Sequence, residues 1–309
     1  MRYTLRQLSY FIAAGETGSV TLAAERIAIS QPSISNAISH LETEFGVQLF
    51  VRHHAQGLSL TPVGRTLLAE AKKLIDQAEG LYAAASEASN QVRGRLLVGC
   101  MVTLAPMIVP ELSHSFTTAY PAADLRHLEA DHERLIEALG HAELDVAVTY
   151  DLNIPASIAF TALASLPAHI VVSDSHPLAT RASVTLAELA DEPLVLLDLP
   201  ISREYFLSLF MSEGLSPRIH SRSVHQEVVR TMVANGYGYT LANVRPRSGL
   251  ALDGRRVVRV ALDGDHRPMV LGLATLAEVR KSQLLQAFEA HCRHVVSDAY
   301  IPGMDAPGA

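Results

Sequence analysis

The 309-residue chain holds only two cysteines, Cys100 and Cys292, far apart in sequence. That excludes a disulfide framework and the paired spacing of a zinc site. No apolar run approaches the roughly 18 residues of a membrane span. The N-terminus lacks the charged start, apolar run and small-residue cleavage site of a secretory signal. A soluble protein of a reducing cytoplasm, with no membrane partner, is the expectation. Enzyme signatures are missing as well. There is no P-loop, no G-x-G-x-x-G dinucleotide turn and no H-E-x-x-H, and no G-x-S-x-G elbow surrounds Ser202. Ser202 and His225 with an unidentified acid make an incomplete hydrolase set, so no enzyme, cofactor or metal is expected. His291 and His294 could share a helix face at i, i+3, a pattern far more common on plain surface than at a metal. Positive charge is also scarce: 25 Lys and Arg face 32 Asp and Glu, a net of −7. That argues against nucleic acid as the only partner.

What is present is a globular composition, 49% hydrophobic and 18% charged, in a chain long enough for more than one domain. The stretch around which the rest is organised runs from Ser19 to Arg52. Val20, Ala23, Ala24 and Ile27 recur at helical spacing behind Ser19, a residue suited to an N-cap. A second helix carries Ile34, Ile38, Leu41 and Phe45 as one apolar stripe. Ser30 is placed to cap it, Pro32 falls in its first turn and Gly46 ends it. The opposite face holds Gln31, Ser33, Asn36 and His40, flanked by Ser35 and Ser39. Short polar side chains of this kind reach phosphates and base edges when a helix lies in a major groove. This is the pattern of a helix-turn-helix whose second helix reads DNA. Leu5, Leu8, Phe11 and Ile12 mark a helix packed behind it. VQLFVRHHAQGLSLT alternates around Gly57 as a β-hairpin wing carrying Arg52, His53 and His54. Residues 1–65 hold five arginines and four acids, about +1, so modest affinity per subunit would be raised by oligomerisation.

The string AAERIAISQPSISNAISHLETEFGVQLFVR, followed by LSLTPVG, resembles the N-terminal domain of the LysR-type transcriptional regulators. The alanines of helix two, the SQPSIS start of helix three, the HLE segment, the FG turn, the LF-x-R wing and the T-P-x-G exit all match. Ala55 and Gln56 stand where related proteins usually carry a second wing arginine. The resemblance implies an N-terminal all-α winged helix-turn-helix domain over 1–61, with Gln31, Pro32, Ser33, Ser35, Asn36, His40, Arg52 and His53 against double-stranded promoter DNA. From Pro62 to about Ala88 runs one apolar-striped helical pattern of about 27 residues, or roughly 40 Å. In this family the matching helix forms the dimer, so residues 62–90 are a linker and dimerisation helix.

Beyond it, strand and helix patterns alternate to the end of the chain, which argues an α/β architecture with mainly parallel sheets. By resemblance, residues 91–309 form a two-lobed effector domain like the periplasmic binding proteins. Lobe I covers about 94–163 and 269–297, and lobe II about 164–268. The chain crosses near Asp151–Leu166 and His266–Met269, and Asp298 to Ala309 forms a loose tail. A transport binding protein shares this fold, but the N-terminal 90 residues argue against one. Ligands in such folds bind beyond the carboxyl ends of strands and at helix starts. Thr103, His132, Ser202 and His225 match effector-contacting positions in the family. Arg203 joins them by residue type, because a forked guanidinium at a helix start suits a carboxylate. The expected effector is a small organic anion. The resemblance further implies a homodimer or homotetramer that bends promoter DNA and contacts RNA polymerase. Cys100, at the end of an apolar strand, is expected to pack in the core.

Overall fold

In the computed structural model, which describes residues 2–53, 57–89 and 92–305, the chain divides into one unit ending at Asn90 and a second beginning at Gln91. The first unit starts with α1, Leu5–Thr17, whose first turn is fixed by a capping box between Thr4 and Gln7. It ends on Gly18 in the left-handed conformation. Helix α2, Val20–Arg26, is capped by the Ser19 hydroxyl accepting from the Leu22 N–H. A tight turn then places Ala28 at φ 53, and α3, Gln31–Phe45, follows. Buried Ala23 and Ala24 let the helices approach closely. The stripe residues Ile34, Ile38 and Leu41 meet Leu8 and Phe11 in a core that also takes Leu49 and Phe50. Phe11 and Phe50 pack edge to face at 5.6 Å.

Strands β1, Phe50–His53, and β2, Gly57–Leu60, pair antiparallel as the wing. The motif residues around it have structural duties. Glu42, from the HLE segment, accepts from the N–H groups of Leu49 and Phe50 and ties α3 to the wing. Thr61 donates to the Gln48 carbonyl and accepts from the Gly64 N–H. A Cβ at Gly64 would stand 2.1 Å from the Leu49 carbonyl oxygen, so the T-P-x-G exit admits no side chain there. Helix α4 runs from Pro62 to Ser89, 28 residues or about 42 Å at 1.5 Å per residue. Its N-terminal part packs on α1, where Lys72 and Glu16 pair at 2.8 Å.

The second unit has two lobes. Lobe I is built from β3 (Gly94–Met101), α5 (Ala105–Ala119), β4 (Ala123–Ala130), α6 (His132–Gly140), β5 (Val146–Tyr150) and β6 (Ile158–Leu166). The chain then enters lobe II through β7 (His169–Ser173), a single 3-10 turn, β8 (Ser183–Val184), α7 (Leu186–Leu189), β9 (Leu194–Leu197) and α8 (Pro200–Ser212). β10 (Ile219–Ser223), α9 (Gln226–Ala234), β11 (Thr240–Ala242) and β12 (Val257–Leu262) complete that lobe. β13 (Met269–Leu276) and α10 (Gln283–Val295) return to lobe I. Its sheet has the order β4-β3-β5-β13-β6.

Three expectations need correction. The sheets are mixed rather than mainly parallel, since β13 runs antiparallel to β5 and β6, and β7 runs antiparallel to β11 and β12. The segment expected to cross between lobes as far as Leu166 contains β6, paired along its length with β13, so the exchange falls at Leu166–His169. The tail is not loose as far as it is described. Ile301 and Met304 are buried, the Asp298 carboxylate accepts from the Ser165 N–H, and Asp305 pairs with Arg259 at 2.6 Å. Tyr300 and the Gly303 N–H both bond Glu111 on α5. Residues 306–309 lie outside the described residues.

Candidate nucleic-acid interface and effector crevice

Helix α3 turns its polar face outward. Gln31, Pro32, Ser33, Asn36, Ser39 and His40 are exposed and Ser35 is half-buried, while Ile34, Ala37, Ile38 and Leu41 are buried beneath them. Ser30 occupies the N-cap position but does not cap through its side chain. Its hydroxyl pairs instead with that of Ser33 at 2.8 Å. Little positive charge backs this face. Arg26 and Lys72 are both drawn to Glu16, and Arg2 approaches Glu44 at 4.0 Å. Burial pushes the Glu16 carboxyl up, but Lys72 and Arg26 beside it outweigh that and hold it below its usual range. Arg6 and Arg65 remain exposed on the unit's surface. Arg52 and His53 sit on β1 opposite Leu58 and Gly57, which fixes their backbone; their side chains, and all of His54, lie outside the described residues.

In the second unit the polar residues at strand ends are buried. Thr103 follows β3 and its hydroxyl bonds that of Tyr150 at 3.1 Å, at the end of β5. His132 opens α6, whose cap is the Asp131 carboxylate, and its Nδ1 bonds the Thr149 hydroxyl at 2.8 Å. The ring is 3% exposed, and its Nε2 has no hydrogen-bond partner. The Leu152 carbonyl is close without reaching hydrogen-bond geometry. Burial lowers the His132 pKa, opposed by that carbonyl and by Asp131, so the ring is neutral at pH 7. A neutral ring whose Nδ1 accepts from the Thr149 hydroxyl presents an N–H donor at Nε2, and one whose Nδ1 donates presents an acceptor there. His132 lines a narrow crevice between the lobes, closed too tightly to hold a water molecule, with Met101, Asp131 and Glu133 beside it and Leu199, Pro200 and Ile201 on the other side. Ser202, in the first turn of α8, is buried beside Ile201.

Of the five residues expected to meet an effector only His132 lines the crevice; Thr103, Ser202, Arg203 and His225 are not among its lining residues. Arg203 is held by Asp198 at 2.7 Å, and Arg222 approaches the same oxygen at 3.6 Å. Arg203, the strongest contributor, and Arg222 together hold the Asp198 carboxyl low, so one nitrogen of the guanidinium expected to receive a ligand is already engaged by Asp198. His225 is exposed at the N-cap of α9. Thr149 and Tyr150 were not singled out from sequence, though both end a strand, where ligands of such folds gather.

Other polar candidates belong to packing. His291 bonds Ser115 at 2.8 Å and stacks edge-on to Phe116. Among the described residues no group of three His, Cys, Asp or Glu could hold a metal ion, and no helix is long and apolar enough to cross a membrane. Cys100 and Cys292 are both buried; burial pushes the Cys100 thiol up strongly and that of Cys292 to about 12. Both stay protonated and poorly nucleophilic.

Residues 5–65 match the profile of the bacterial regulatory helix-turn-helix proteins of the lysR family, and residues 89–297 match the LysR substrate binding domain. The chain belongs to the LysR family of transcriptional regulators. Such regulators pair a DNA-binding helix-turn-helix with an effector-binding domain. The solved structure of HinK, a LysR family regulator from Pseudomonas aeruginosa, is 35% identical, with a TM-score of 0.65 over 94% of this chain and 98% of its own. The regulator CysB of Haemophilus influenzae is 29% identical over 87% of this chain and 84% of its own length. The fold is shared with full-length CbnR in complex with its target DNA, at 22% identity and TM-score 0.72, covering 94% of this chain and 99% of that one. In this LysR regulator the exposed face of α3 and the buried crevice fall in the two matched regions.

Proposed function

We propose that the outward face of α3 reads promoter DNA in the major groove, with Gln31, Pro32, Ser33, Ser35, Asn36 and His40 nearest the duplex. Arg52 and His53 of the wing lie along the adjacent backbone. A small organic anion, such as an aromatic or short aliphatic carboxylate, binds between the lobes against Thr103, His132 and Ser202, with Arg203 and His225 at its margin. The observation that carries this reading is His132, a crevice-lining residue whose buried Nε2 has no hydrogen-bond partner. Burying such a group is costly until something bonds it, and a carboxylate oxygen accepts a hydrogen bond from its N–H form. The regulator works as a homodimer that assembles into a homotetramer, α4 pairing with its copy. Two recognition helices then meet half-sites about one helical turn, ~10 bp, apart. The effector alters the DNA bend and the contact with RNA polymerase only as far as it prefers one arrangement, and about 1–3 kcal/mol is the usual scale of such coupling.

Calorimetric titration of the full chain with benzoate and with neutral benzamide tests the crevice. Benzoate should bind at least about tenfold more tightly, and Thr103→Val and His132→Leu should each weaken it by roughly the same factor. Equal binding of the two compounds, or no change in either variant, would remove the crevice from the account.

A further inference from the structure

Lobe II contains a second polar site that shares no lining residue with the crevice. It lies among β7, β11, β12, α8 and the start of α9, and holds a void of about 30 Å³ within about 500 Å³ of unfilled space that opens partly to solvent. Two of its features have no explanation in packing. The first is His169, which opens β7 and is 2% exposed. Neither of its ring nitrogens has a hydrogen-bond partner, although the Pro167 carbonyl is close. Gln226 Oε1, in the same lining, is also buried and unpartnered. Buried polar groups are otherwise nearly always satisfied, so two in one pocket mark a missing component.

The second feature is charge. Arg230, 7% exposed, spends its Nη2 on the carbonyls of Ser248 and Leu250. Among the described residues its hydrogen bonds go to carbonyls, and no carboxylate forms a direct ion pair with it. Arg259, in the same lining, is neutralised by Asp305, and Arg245 lies close enough to depress the His169 pKa further. Glu227, one turn earlier on α9, is the acid that offsets the burial of Arg230, and it does so without a direct ion pair. Burial first, then Arg245, Arg259 and Arg230, hold the His169 pKa at about 3, so the ring is neutral and offers one N–H donor. The walls beside these groups are apolar, formed by Val171, Leu197, Phe206 and Val229.

We propose that this pocket is a second anion site that takes a compact carboxylate with a short hydrocarbon tail, its oxygens on Arg230 and the His169 N–H and its tail on the apolar wall. The void has the size of the carboxylate group, since a cavity of about 10–15 Å³ already holds one water. The site also touches the hinge. Asn243, in the pocket lining, donates to the Met269 sulfur at 2.8 Å and faces the Tyr150 hydroxyl, which bonds Thr103. A ligand here therefore acts on the strand ends that carry the crevice, and any coupling between the two sites is reciprocal.

The test is a titration of the full chain labelled with ¹⁵N-histidine, the His169 ring signals being assigned with His169→Gln. Propionate should shift the His169 nitrogens saturably, whereas neutral propionamide and chloride at the same ionic strength should not. Arg230→Gln should weaken propionate binding by roughly tenfold or more, and Arg181→Ala, which removes a surface arginine of the same lobe, should leave it unchanged. If Arg230→Gln fails to fold, because Arg230 also holds the Ser248 and Leu250 carbonyls, the wild-type titration decides alone. An unmoved His169 signal, an equal response to propionamide or to chloride, or an Arg230→Gln protein that folds and binds as tightly would each overturn the proposal.

Discussion

In the first unit Gln31, Ser33, Asn36 and His40 stand outside α3, with Ile34, Ile38 and Leu41 sealed beneath them. In the second unit Thr103, His132, Ser202 and His169 are buried, and what they bond, or fail to bond, is decided by strands distant in sequence. Under the proposed function the contrast follows from what each unit recognises. A duplex is too large to enclose, so the groups that meet it must protrude from a rigid support. A small molecule is held by enclosure, which puts polar groups where an unmet hydrogen bond is costly until the ligand arrives.

This division can be broken most severely at Leu41, fully buried on the inner face of α3. Leu41→Ala should cost about 2–5 kcal/mol, lower the melting of the first unit and abolish operator binding. Carboxylate titration of the second unit should be unaffected. Loss of both activities together in a calorimetric scan would mean that the units do not fold independently.

A second test uses pH. His169 is neutral in the fold, its pKa about 3 against an ordinary value near 6.5. Above pH 6.5 both folded and unfolded chains hold the ring neutral, and its contribution is complete. As pH falls from 6.5 towards 3 only the unfolded chain takes up the proton, so stability of the second unit should decline across that window. His169→Gln should flatten the decline in urea midpoints, and the melting of the first unit should be indifferent to the change. A decline that persists undiminished would assign it to other groups.

The smallest of these effects sharpens the first unit. Ala28, in the turn between α2 and α3, holds φ 53, a conformation that costs an L-residue more than glycine. Ala28→Gly should raise stability by about 0.5–1 kcal/mol in a thermal melt without altering the face of α3. A lower melting temperature would show that the turn is not strained.

The same contrast explains what could be read from sequence. An amphipathic helix displays its outer face in the order of its residues, so Ser19, the stripe of α3 and the Gly46 terminus were legible without coordinates. The Ser30 hydroxyl was assigned to the backbone, yet its partner is Ser33, because two acceptors compete within one turn. In the second unit alternation revealed most strands but not their directions, so the antiparallel course of β13 was missed. β6 escaped because IAFTALASL follows a run of turn residues and pairs only with a strand more than a hundred residues away. Ile301 and Met304 were lost among prolines and glycines, although Glu111 and Arg259 await the segment. Arg203 has the residue type of a carboxylate receptor, and only the fold reveals that its Nη1 already pairs with Asp198.

The most direct measurement of the central claim is a gel shift of the full chain on its own upstream DNA at low salt, comparing the wild type with Ser33→Ala and Asn36→Ala. Each substitution should weaken binding by about 1–3 kcal/mol while carboxylate binding stays intact. Wild type and both variants shifting the fragment equally would contradict the assignment of α3 as the reading helix.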